Sequence, residues 1–500
     1  MYKLGIIGFG VVGKSVLSFL RNTKNHVSNT GDATSNVARI VRECETIEVW
    51  DKRALNDEEL LLLEQARAVF VNGTDVGLDS FFQHNDFVVA SPGIDLSAYK
   101  QWRHKIVCEL DFFSAFFSKP VVAITGSVGK TTITRLLGVL ANKLPVSVAS
   151  PWPINSEDRT HVRAAIGGNI GIGMLDLVGH QQDIDTAIVE LSSFQLEFST
   201  HFVPAVAIYT NIYPNHLDRH GTIKSYCAAK TTMLHKQEAG NIAIFSHELL
   251  TGPSARFMAD ELEQIRSQIV VTSPHKLKRA AITAIPVSCF HLVYLDGKQI
   301  ILASYENYKS AASIILVDNV ELPDITFTSN WVQVIAGLYL MGLAVDKLPM
   351  LLKKTTTEDL LPGLGHRVHL CATVKGVDFY DDSKSTITQA TLAAVERLAE
   401  QKRPIIVILG GLSKGIDRSW LMTALGKISY IKRVFCFGPE SSQFEGAEEY
   451  ETLEALMQAV GSIMTTGDIV LFSPSGTSFD FFKNYEHRGQ VFEQLVQNLA

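Results

Sequence analysis

The residues best suited to chemistry in this sequence lie in one short segment, Val121 to Thr132, which reads V-V-A-I-T-G-S-V-G-K-T-T. Its apolar start predicts a buried strand, its two glycines predict a tight turn, Lys130 follows as a mobile cation, and Thr131 and Thr132 open a predicted helix. In such a turn backbone N–H groups surround a polyphosphate, the lysine reaches the outer phosphates and a hydroxyl binds Mg²⁺. Ile124 replaces the first glycine of G-x-x-x-x-G-K-[ST], so the match is to a tighter G-x-x-G-K-T-T form. We therefore predict a phosphate site here, with a ligand-free glycine turn as the alternative.

A carboxylate is predicted to complete this site. Glu190 ends an apolar strand that begins at Ala187, and a buried carboxylate is costly unless it is paired or binds a metal. We therefore predict that Thr131 and Glu190 hold Mg²⁺, with a helix cap as the alternative role for Glu190. The H-L-D-R-H run at 216–220 could also bind metal, but this pattern is unspecific. By composition alone, Lys230 would be a surface lysine.

A second glycine-rich turn lies near the start of the chain. Residues 3–13 contain a predicted strand, then G-F-G-V-V-G, then the start of a helix. This is the setting in which G-x-G-x-x-G places a diphosphate at a helix N-terminus. Asp51 ends the next predicted strand and could bind a ribose or a uracil edge. It lies beyond the roughly 20-residue interval of an NAD site, which a polar insertion at 22–36 would explain. Taken alone, the motif leaves open the alternative that the protein is an NAD(P)-dependent oxidoreductase.

Length, charge and composition restrict the class of protein to which this sequence can belong. At about 150 residues per domain, 500 residues predict roughly three domains. A net charge of −7 without a basic block argues against a nucleic-acid binder. Six scattered cysteines without a C-x-x-C pair indicate free thiols in a reducing cytoplasm. The first ten residues indicate a strand and a glycine turn, not a signal peptide. The sequence contains no apolar run of about 18 residues, so no membrane span is predicted.

Strands alternate with helices along the chain, which predicts α/β domains built from parallel βαβ units. We predict a Rossmann-like domain at 1–116, a central P-loop ATPase-type domain at 117–362 and a C-terminal Rossmann-like domain at 363–500. Residues 241–322 are predicted to be β-rich with no clear role, and a helix is predicted from Asn330 to Leu343. In the third domain, predicted strands are followed by D-D-S-K-S-T, G-G-L-S-K-G and S-P-S-G-T-S.

These motifs, in this order, resemble those of the Mur ligase family over nearly the whole chain. The resemblance is carried by A-I-T-G-S-V-G-K-T-T, V-E-L-S-S-F-Q-L-E, N-H-L-D-R-H, G-H-R-V, D-D-S-K-S-T, G-G-L-S-K-G and F-S-P-S-G-T-S-F-D-F-F-K-N-Y-E-H-R-G. The last block and the G-x-G-x-x-G start are particularly similar to the members that add D-glutamate. In this family the first turn holds UDP rather than NAD, so the resemblance implies an N-terminal UDP-binding domain.

The resemblance also implies a role for each matching residue. Catalytic roles are implied for Lys130, Glu190, His216 and Lys230. Contacts with ATP are implied for Gly126, Ser127, Val128, Gly129, Lys130, Thr131, Thr132, Asn330, Arg367 and Asp382. Contacts with the UDP-linked substrate are implied for Val11, Val12, Asp51, Lys52, Arg53, Gly93, Asn169, Ser192 and Gln195. The amino-acid site would comprise Lys384, Thr386, Lys414, Ser478 and Tyr485. Two Mg²⁺ ions would be held by Thr131, Glu190, His216 and Lys230, the last as a carbamylated lysine.

The implied reaction is an ATP-dependent ligation through an acyl-phosphate, in the synthesis of peptidoglycan precursors. Its substrates would be UDP-N-acetylmuramoyl-L-alanine and D-glutamate, and its cofactors ATP and Mg²⁺. The protein is expected to be a cytoplasmic monomer with no nucleic-acid partner and no membrane span. The alternatives within the superfamily are another Mur ligase and a folylpolyglutamate synthase, which lacks the N-terminal UDP-type domain. The alternatives outside the superfamily are the NAD(P)-dependent oxidoreductase and a P-loop switch or assembly module.

Four departures from the family pattern bear on the nucleotide and amino-acid sites. The phosphate loop has Ser127-Val128 where Thr-Asn is usual, and Gly365 stands where Pro usually precedes His-Arg. Gln333 replaces a second Asn three residues after Asn330, and Leu412-Ser413 has taken the place of Asp-x in G-G-D-x-K. We expect these changes to alter rates and amino-acid choice more than the class of reaction.

Overall fold

The structure of the protein is a computed structural model that describes residues 1–23, 36–147, 160–263, 265–362 and 365–499. These residues form three sheets of five, nine and six strands, as the alternating pattern predicts. They pack into two compact units, residues 1–212 with 224–362 and residues 213–223 with 363–500. The predicted insertion at 22–36 lies outside the described residues except at its two ends.

The N-terminal sheet is parallel throughout and has the strand order β3-β2-β1-β4-β5. Its strands are β1 (Tyr2–Ile7), β2 (Cys44–Asp51), β3 (Ala68–Asn72), β4 (Phe87–Ala90) and β5 (Ile106–Val107). Its helices are α1 (Val11–Thr23), α2 (Asn36–Glu43), α3 (Asp57–Ala66), α4 (Leu78–His84) and α5 (Glu109–Phe116), with a 3₁₀ segment at Ser97–Lys105. The strand order reverses beside β1, and open α/β sheets bind ligands at the carboxyl ends of strands around such a point.

The central sheet has the order β14-β13-β12-β11-β10-β9-β6-β8-β7. Its strands are β6 (Val121–Thr125), β7 (Ala164–Gly168), β8 (Thr186–Glu190), β9 (Val206–Tyr209), β10 (Ile242–Ser246), β11 (Gln268–Ser273), β12 (Phe290–Asp296), β13 (Gln299–Glu306) and β14 (Lys309–Val317). The first helices of this segment are α6 (Lys130–Lys143), α7 (Met174–Gly179), α8 (Ser193–Leu196), α9 (Leu217–His220), α10 (Ile223–Thr231) and α11 (His247–Thr251). The others are α12 (Ala255–Leu262), α13 (Arg279–Thr283), α14 (Thr328–Leu340), α15 (Leu348–Lys354) and α16 (Thr357–Leu360), with a 3₁₀ turn at Val345–Lys347. The fully buried strand β6 lies between β9 and β8, so the phosphate loop leaves the interior of the sheet.

The C-terminal sheet has the order β15-β16-β20-β17-β18-β19. Its strands are β15 (His369–Val374), β16 (Val377–Asp381), β17 (Ile405–Leu409), β18 (Ile431–Phe437), β19 (Glu448–Tyr450) and β20 (Ile469–Phe472). Its helices are α17 (Thr388–Ala399), α18 (Trp420–Leu425), α19 (Leu453–Ile463) and α20 (Tyr485–Gln497), with a 3₁₀ turn at Ser441–Gln443. Because β16, β20 and β17 are parallel neighbours, the three loops that follow them emerge at the same edge of the sheet.

The expectation of parallel strands throughout was wrong at three hairpins. Strand β13 is antiparallel to β12 and to β14, and β15 is antiparallel to β16. All three connections are two-residue turns, and in two of them, Asn307-Tyr308 and Lys375-Gly376, both residues have positive φ. Such turns match the twist of antiparallel strands, whereas a parallel pair needs a long crossover.

Two other predictions about this region are confirmed. The segment predicted to be β-rich, 241–322, contains β10 to β14. The helix predicted from Asn330 to Leu343 is α14, which begins at Thr328 and ends at Leu340. Among the helices that the structure describes, none has the length and apolar character needed to cross a membrane.

Candidate active site

The phosphate loop after β6 requires glycine at two positions. Gly126 has φ +147° and Gly129 has φ +89°, which side-chain-bearing residues rarely adopt. A Cβ on Gly126 would lie 1.9 Å from Thr210 Oγ1, and one on Gly129 would lie 2.9 Å from Asn330 Oδ1. The turn therefore brings its backbone against two neighbouring elements, the end of β9 and the start of α14.

The segment after β9 holds this loop in shape. Val128 N donates to Asn211 Oδ1 at 2.8 Å, and Ser127 N donates to Asn211 O at 2.9 Å. Thr210 Oγ1 donates to Val128 O at 2.6 Å. Sequence reasoning assigned no role to Thr210 or Asn211, because only the pairing of β6 with β9 brings them to the loop.

Two lysines converge on one carbonyl of the loop. Lys130 Nζ donates to Gly126 O at 3.0 Å, and Lys230 Nζ donates to the same oxygen at 2.9 Å. Lys230 also reaches Thr125 Oγ1 at 3.3 Å and is only 1% exposed, so its expected surface location was wrong. Burial, with the nearby charge of Lys130, holds the pKa of Lys230 well below its usual range.

Glu190, at the end of β8, has the features of a metal ligand. It is buried, and its Oε1 accepts a hydrogen bond from Asn169 Nδ2 at 3.2 Å. Its Oε2 has no hydrogen-bond partner within the described parts of the chain. The alternative role as a helix cap was wrong, because the side chain of Ser192 caps α8. A buried carboxylate oxygen without a donor fits a cation such as Mg²⁺, and Thr131, the second residue of α6, is also buried.

Three other predicted ligands of the central domain make structural contacts. Ser192 and Gln195 hydrogen bond to each other in a capping box. Asn330 Nδ2 donates to Thr326 Oγ1 at 2.7 Å, which holds its amide beside Gly129. Gln333, one of the departures, donates from Nε2 to Tyr209 O at 3.1 Å and so joins α14 to the end of β9.

In the N-terminal domain, several residues predicted to bind UDP surround the first glycine turn. Phe9 N donates to Asp51 Oδ2 at 2.8 Å, and Arg53 Nη2 donates to Phe9 O at 2.8 Å. Arg53 also pairs with the buried Glu59 at 2.7 Å, and this bond lowers the pKa of Glu59. Val11, the first residue of α1, is 86% exposed. Sequence reasoning missed Glu59, although Asn56 and Glu59 have the spacing of a helix capping box at the start of α3.

The remaining members of the UDP-binding set in this domain are exposed or half-buried residues. Val12 is half-buried on α1, whereas Lys52 and Gly93 are exposed in the loops after β2 and β4. Ser91, which precedes Gly93, donates from Oγ to Gly8 O at 2.9 Å and so attaches its loop to the glycine turn.

In the C-terminal unit, Asp382 follows β16 in a buried position. Its Oδ2 accepts from Ser473 Oγ at 2.6 Å, and its Oδ1 accepts from Val368 N at 3.2 Å. Burial raises the pKa of Asp382 to about 7, with the charge of Asp381 adding to the effect and Arg367 opposing it. Asp382 therefore changes its charge near neutral pH.

The neighbouring Asp381 is paired instead. It accepts a hydrogen bond from His366 Nδ1, which raises the pKa of His366. These two residues and Glu493 have ligand atoms within 4.8 Å of one another, the one such group in the described parts of the chain. The direct bond between His366 and Asp381 accounts for their proximity without a metal.

Five predicted amino-acid ligands lie on the loops at one edge of the C-terminal sheet or at the start of α20. Lys384 Nζ donates to Tyr485 OH at 3.0 Å. Lys414 Nζ donates to Asn215 Oδ1 at 3.2 Å, and that oxygen also accepts from His216 N at 3.0 Å. The structure thus links Lys414 to the segment that carries His216. Ser478 is buried and Thr386 is half-buried in the other two loops.

The comparisons with known proteins agree with this geometry. A family model for the Mur ligase middle domain matches residues 124–314. Over 431 residues the chain is 30% identical to the UDP-N-acetylmuramoylalanine–D-glutamate ligase of Koribacter versatilis, and the match covers 84% of each protein. The chain belongs to the Mur ligase family. The enzyme of the same name from Vibrio cholerae is 29% identical over 511 residues, covering 99% of this chain and 98% of its own length.

Solved structures share the fold of this Mur ligase. MurF from Acinetobacter baumannii matches with a TM-score of 0.54 at 15% identity, over 92% of this chain and 91% of its own. A pseudomurein peptide ligase type C from Methanothermus fervidus matches with a TM-score of 0.51 at 13% identity, covering 100% of both chains. The three-domain α/β fold expected from the sequence is confirmed, while the domain boundaries stay predictions.

Membership of the family fixes the class of reaction. Mur ligases are ATP-dependent amide ligases, and this Mur ligase is therefore an ATP-dependent acid–amino-acid ligase. This assignment replaces the oxidoreductase that the first glycine turn had left open.

Proposed function

We propose that this Mur ligase joins D-glutamate to UDP-N-acetylmuramoyl-L-alanine, in cytoplasmic synthesis of peptidoglycan precursors. The observation that carries the proposal is the near full-length match to relatives named UDP-N-acetylmuramoylalanine–D-glutamate ligase, at 28–30% identity. The choice of D-glutamate over other amino acids rests on those names. The protein is expected to act as a monomer.

The proposed reaction has two steps. An oxygen of the L-alanyl carboxylate attacks the γ-phosphorus of ATP, the bond to the β-phosphate oxygen breaks, and ADP leaves behind an acyl-phosphate. The amino group of D-glutamate then attacks the acyl carbon, a C–N bond forms, phosphate leaves and the nitrogen releases a proton. The first step brings two anions together, so Lys130 and the loop N–H groups must stabilise the charge that develops.

The remaining nucleotide contacts are assigned by position. Thr132 follows Thr131 at the start of α6, and Asn330 lies beside Gly129. Arg367 and Asp382 are further proposed ATP contacts. Mg²⁺ would be held by Thr131, Glu190, His216 and Lys230, and it neutralises phosphate charge when bound. The orphaned Oε2 of Glu190 supports this assignment.

Lys230 is proposed to act as a carbamate. Its amine is buried and, within the described residues, forms no ion pair with a carboxylate. Its lowered pKa favours the neutral amine that reacts with CO₂. Carbamylation would turn this amine into an anionic carbamate and so give it the charge of a metal ligand.

D-glutamate needs separate donors for its two carboxylates. Lys414 and Thr386 are proposed to bind the side-chain carboxylate, and Ser478 with the backbone near Tyr485 the α-carboxylate. The ammonium of Lys414 suits the first role because it is a point charge on a flexible stem. One of its partners, Asn215, is an uncharged amide that a carboxylate can displace.

The test is a phosphate-release assay with UDP-N-acetylmuramoyl-L-alanine, ATP, Mg²⁺ and a panel of amino acids. We expect release with D-glutamate and none with L-glutamate, L-lysine, diaminopimelate or L-alanine. Release with L-alanine on the unsubstituted UDP-sugar, or with L-lysine on the D-glutamyl substrate, would instead assign another ligase of the same family. Release with L-glutamate on a folate substrate would assign the folylpolyglutamate synthase alternative.

A further inference from the structure

A buried arginine lies beneath the proposed amino-acid site and has no assigned role. Arg488 is on α20, one helical turn after Tyr485, and its side chain is fully buried at 0% exposure. Its Nη2 donates to Ser383 O at 2.6 Å and to Gly476 O at 3.0 Å. One guanidinium nitrogen therefore joins the loop after β16 to the loop after β20.

The same side chain also packs against the third loop of that edge. A Cβ added to Gly411, in the loop after β17, would lie 2.9 Å from Arg488 Nη1. Each contact is close in sequence to a proposed ligand of the amino acid. Ser383 precedes Lys384, Gly476 is two residues before Ser478, and Gly411 is three residues before Lys414. Arg488 is thus placed to set the positions of all three loops at once.

Arg488 forms no ion pair with any of the described residues. Its Nε and Nη1 have no hydrogen-bond partner there, and its two bonds go to uncharged carbonyls. Burial lowers the pKa of Arg488 to about 10, with Asp480 opposing this effect most strongly, so it stays protonated at neutral pH. By contrast, the buried Arg418 nearby pairs with Glu440 at 3.1 Å.

We propose that Arg488 is a positioning residue for the acceptor amino acid, and that its unpaired charge makes the site prefer an acceptor with two carboxylates. This inference rests on the proposed function. A buried positive charge acts over a longer range than a surface one because water does not screen it. An acceptor with charge −2 on its carboxylates gains more from this field than one with a single carboxylate.

The experiment compares D-glutamate with D-glutamine, which has the same shape and one carboxylate fewer. Arg488→Gln removes the charge and keeps an N–H donor, whereas Arg488→Lys keeps the charge. We expect the ratio of kcat/KM for D-glutamate over D-glutamine to fall about tenfold in Arg488→Gln and to stay within about threefold of wild type in Arg488→Lys. If D-glutamine turnover is too slow to measure, the inhibition constant (Ki) of glutarate, which also has two carboxylates, is measured instead. We expect this Ki to rise in Arg488→Gln, because the positive charge is lost.

Arg403→Gln is the matched control. Arg403 bridges the same three strands at their opposite ends, through Gly467 O at 2.9 Å, Asp468 O at 3.2 Å and the carboxylate of Asp378. Its loss lowers stability and leaves the acceptor ratio unchanged. An unchanged ratio in folded Arg488→Gln, or an equal fall in Arg403→Gln, would overturn the proposal.

A second variant covers the case in which Arg488→Gln does not fold. Asp480→Asn removes the carboxylate that acts most strongly on Arg488, so we expect the acceptor ratio to rise. A fall in that ratio, or no change, contradicts the proposal. The wild-type enzyme is assayed first, so that failure to use D-glutamate counts against the proposed function and not against the role of Arg488.

Discussion

Two lysines donate to the same carbonyl, Gly126 O, yet we expect them to do different chemistry. Lys130→Ala removes a cation that stabilises the transition state, so turnover should fall at least about tenfold, or about 1.4 kcal/mol. Lys230→Ala should lose activity as severely, because the proposed carbamate is lost. Only Lys230→Ala should recover when acetate or formate is added, since a small carboxylate can enter the space left by the side chain. ADP release with and without each acid measures this.

The control for both variants is Lys143→Ala, an exposed lysine in the last turn of the same helix α6. It should retain wild-type turnover and show no response to acetate. Binding of the UDP-linked substrate should be intact in all three variants. Rescue of Lys130→Ala by acetate, or no rescue of Lys230→Ala, would refute the assigned roles.

Residues whose position follows from their neighbours in sequence were predicted well. Gly126, Gly129 and Lys130 are fixed by a single turn between a strand and a helix, so spacing alone predicted their arrangement. Lys230 was misplaced on the surface because composition does not reveal that α10 packs its last residues against this loop. Asn211 and Arg488 were assigned no role of their own, since their partners are distant in the chain.

Strands were predicted more reliably than the direction in which they pair. The apolar runs of β16, β17 and β20 indicated buried strands, and each is present. The direction depends on the connection, and Asn307-Tyr308 lacks the glycine that marks most tight hairpin turns. The hairpin β13–β14 was therefore not anticipated, although its segment was predicted to be β-rich.

The end of β16 gives the C-terminal unit a dependence on pH. The pKa of Asp382 is raised from an ordinary 3.8 to about 7, so the folded state binds a proton that the unfolded state has released. Stability should therefore fall as pH rises from about 4 to about 7 and then level off. Each pKa unit is worth about 1.4 kcal/mol, so the decline should reach a few kcal/mol. Asp382→Asn mimics the protonated form and should lack this decline, as measured by urea unfolding across that pH range.

Asp378→Asn is the matched control on the same strand. Burial raises the pKa of Asp378, but bonds from Thr373 and Arg403 outweigh burial, and the net pKa is lowered. Asp378 therefore stabilises the fold above its ordinary pKa and loses this effect as pH falls, the opposite sign to Asp382. If both variants change stability with pH in the same direction, the environment assigned to Asp382 is wrong.

The N-terminal sheet has one buried cluster of its own, which includes Ile7 and Val88, but its other face belongs to a cluster shared with the central sheet. The shared cluster is continuous and includes Leu4 and Val189 on strands of the two sheets, with Phe112 and Leu177 on helices α5 and α7. The C-terminal sheet has two clusters of its own, one on each side, which include Phe379 and Leu471. A shared core couples the unfolding of the elements that form it.

We therefore expect calorimetry to resolve two unfolding transitions and not three. Leu177→Ala opens a cavity in the shared core and should lower the transition of residues 1–212 with 224–362 as a whole. Leu471→Ala should lower the transition of the C-terminal unit and leave the other in place. Each loss should be on the order of 2–5 kcal/mol, because both leucines are fully buried and the surrounding structure relaxes only partly. Tryptophan fluorescence and backbone circular dichroism should report the same two midpoints. A third transition that responds to neither variant would mean that the N-terminal domain unfolds alone, and that its contacts with the central sheet do not form one cooperative core.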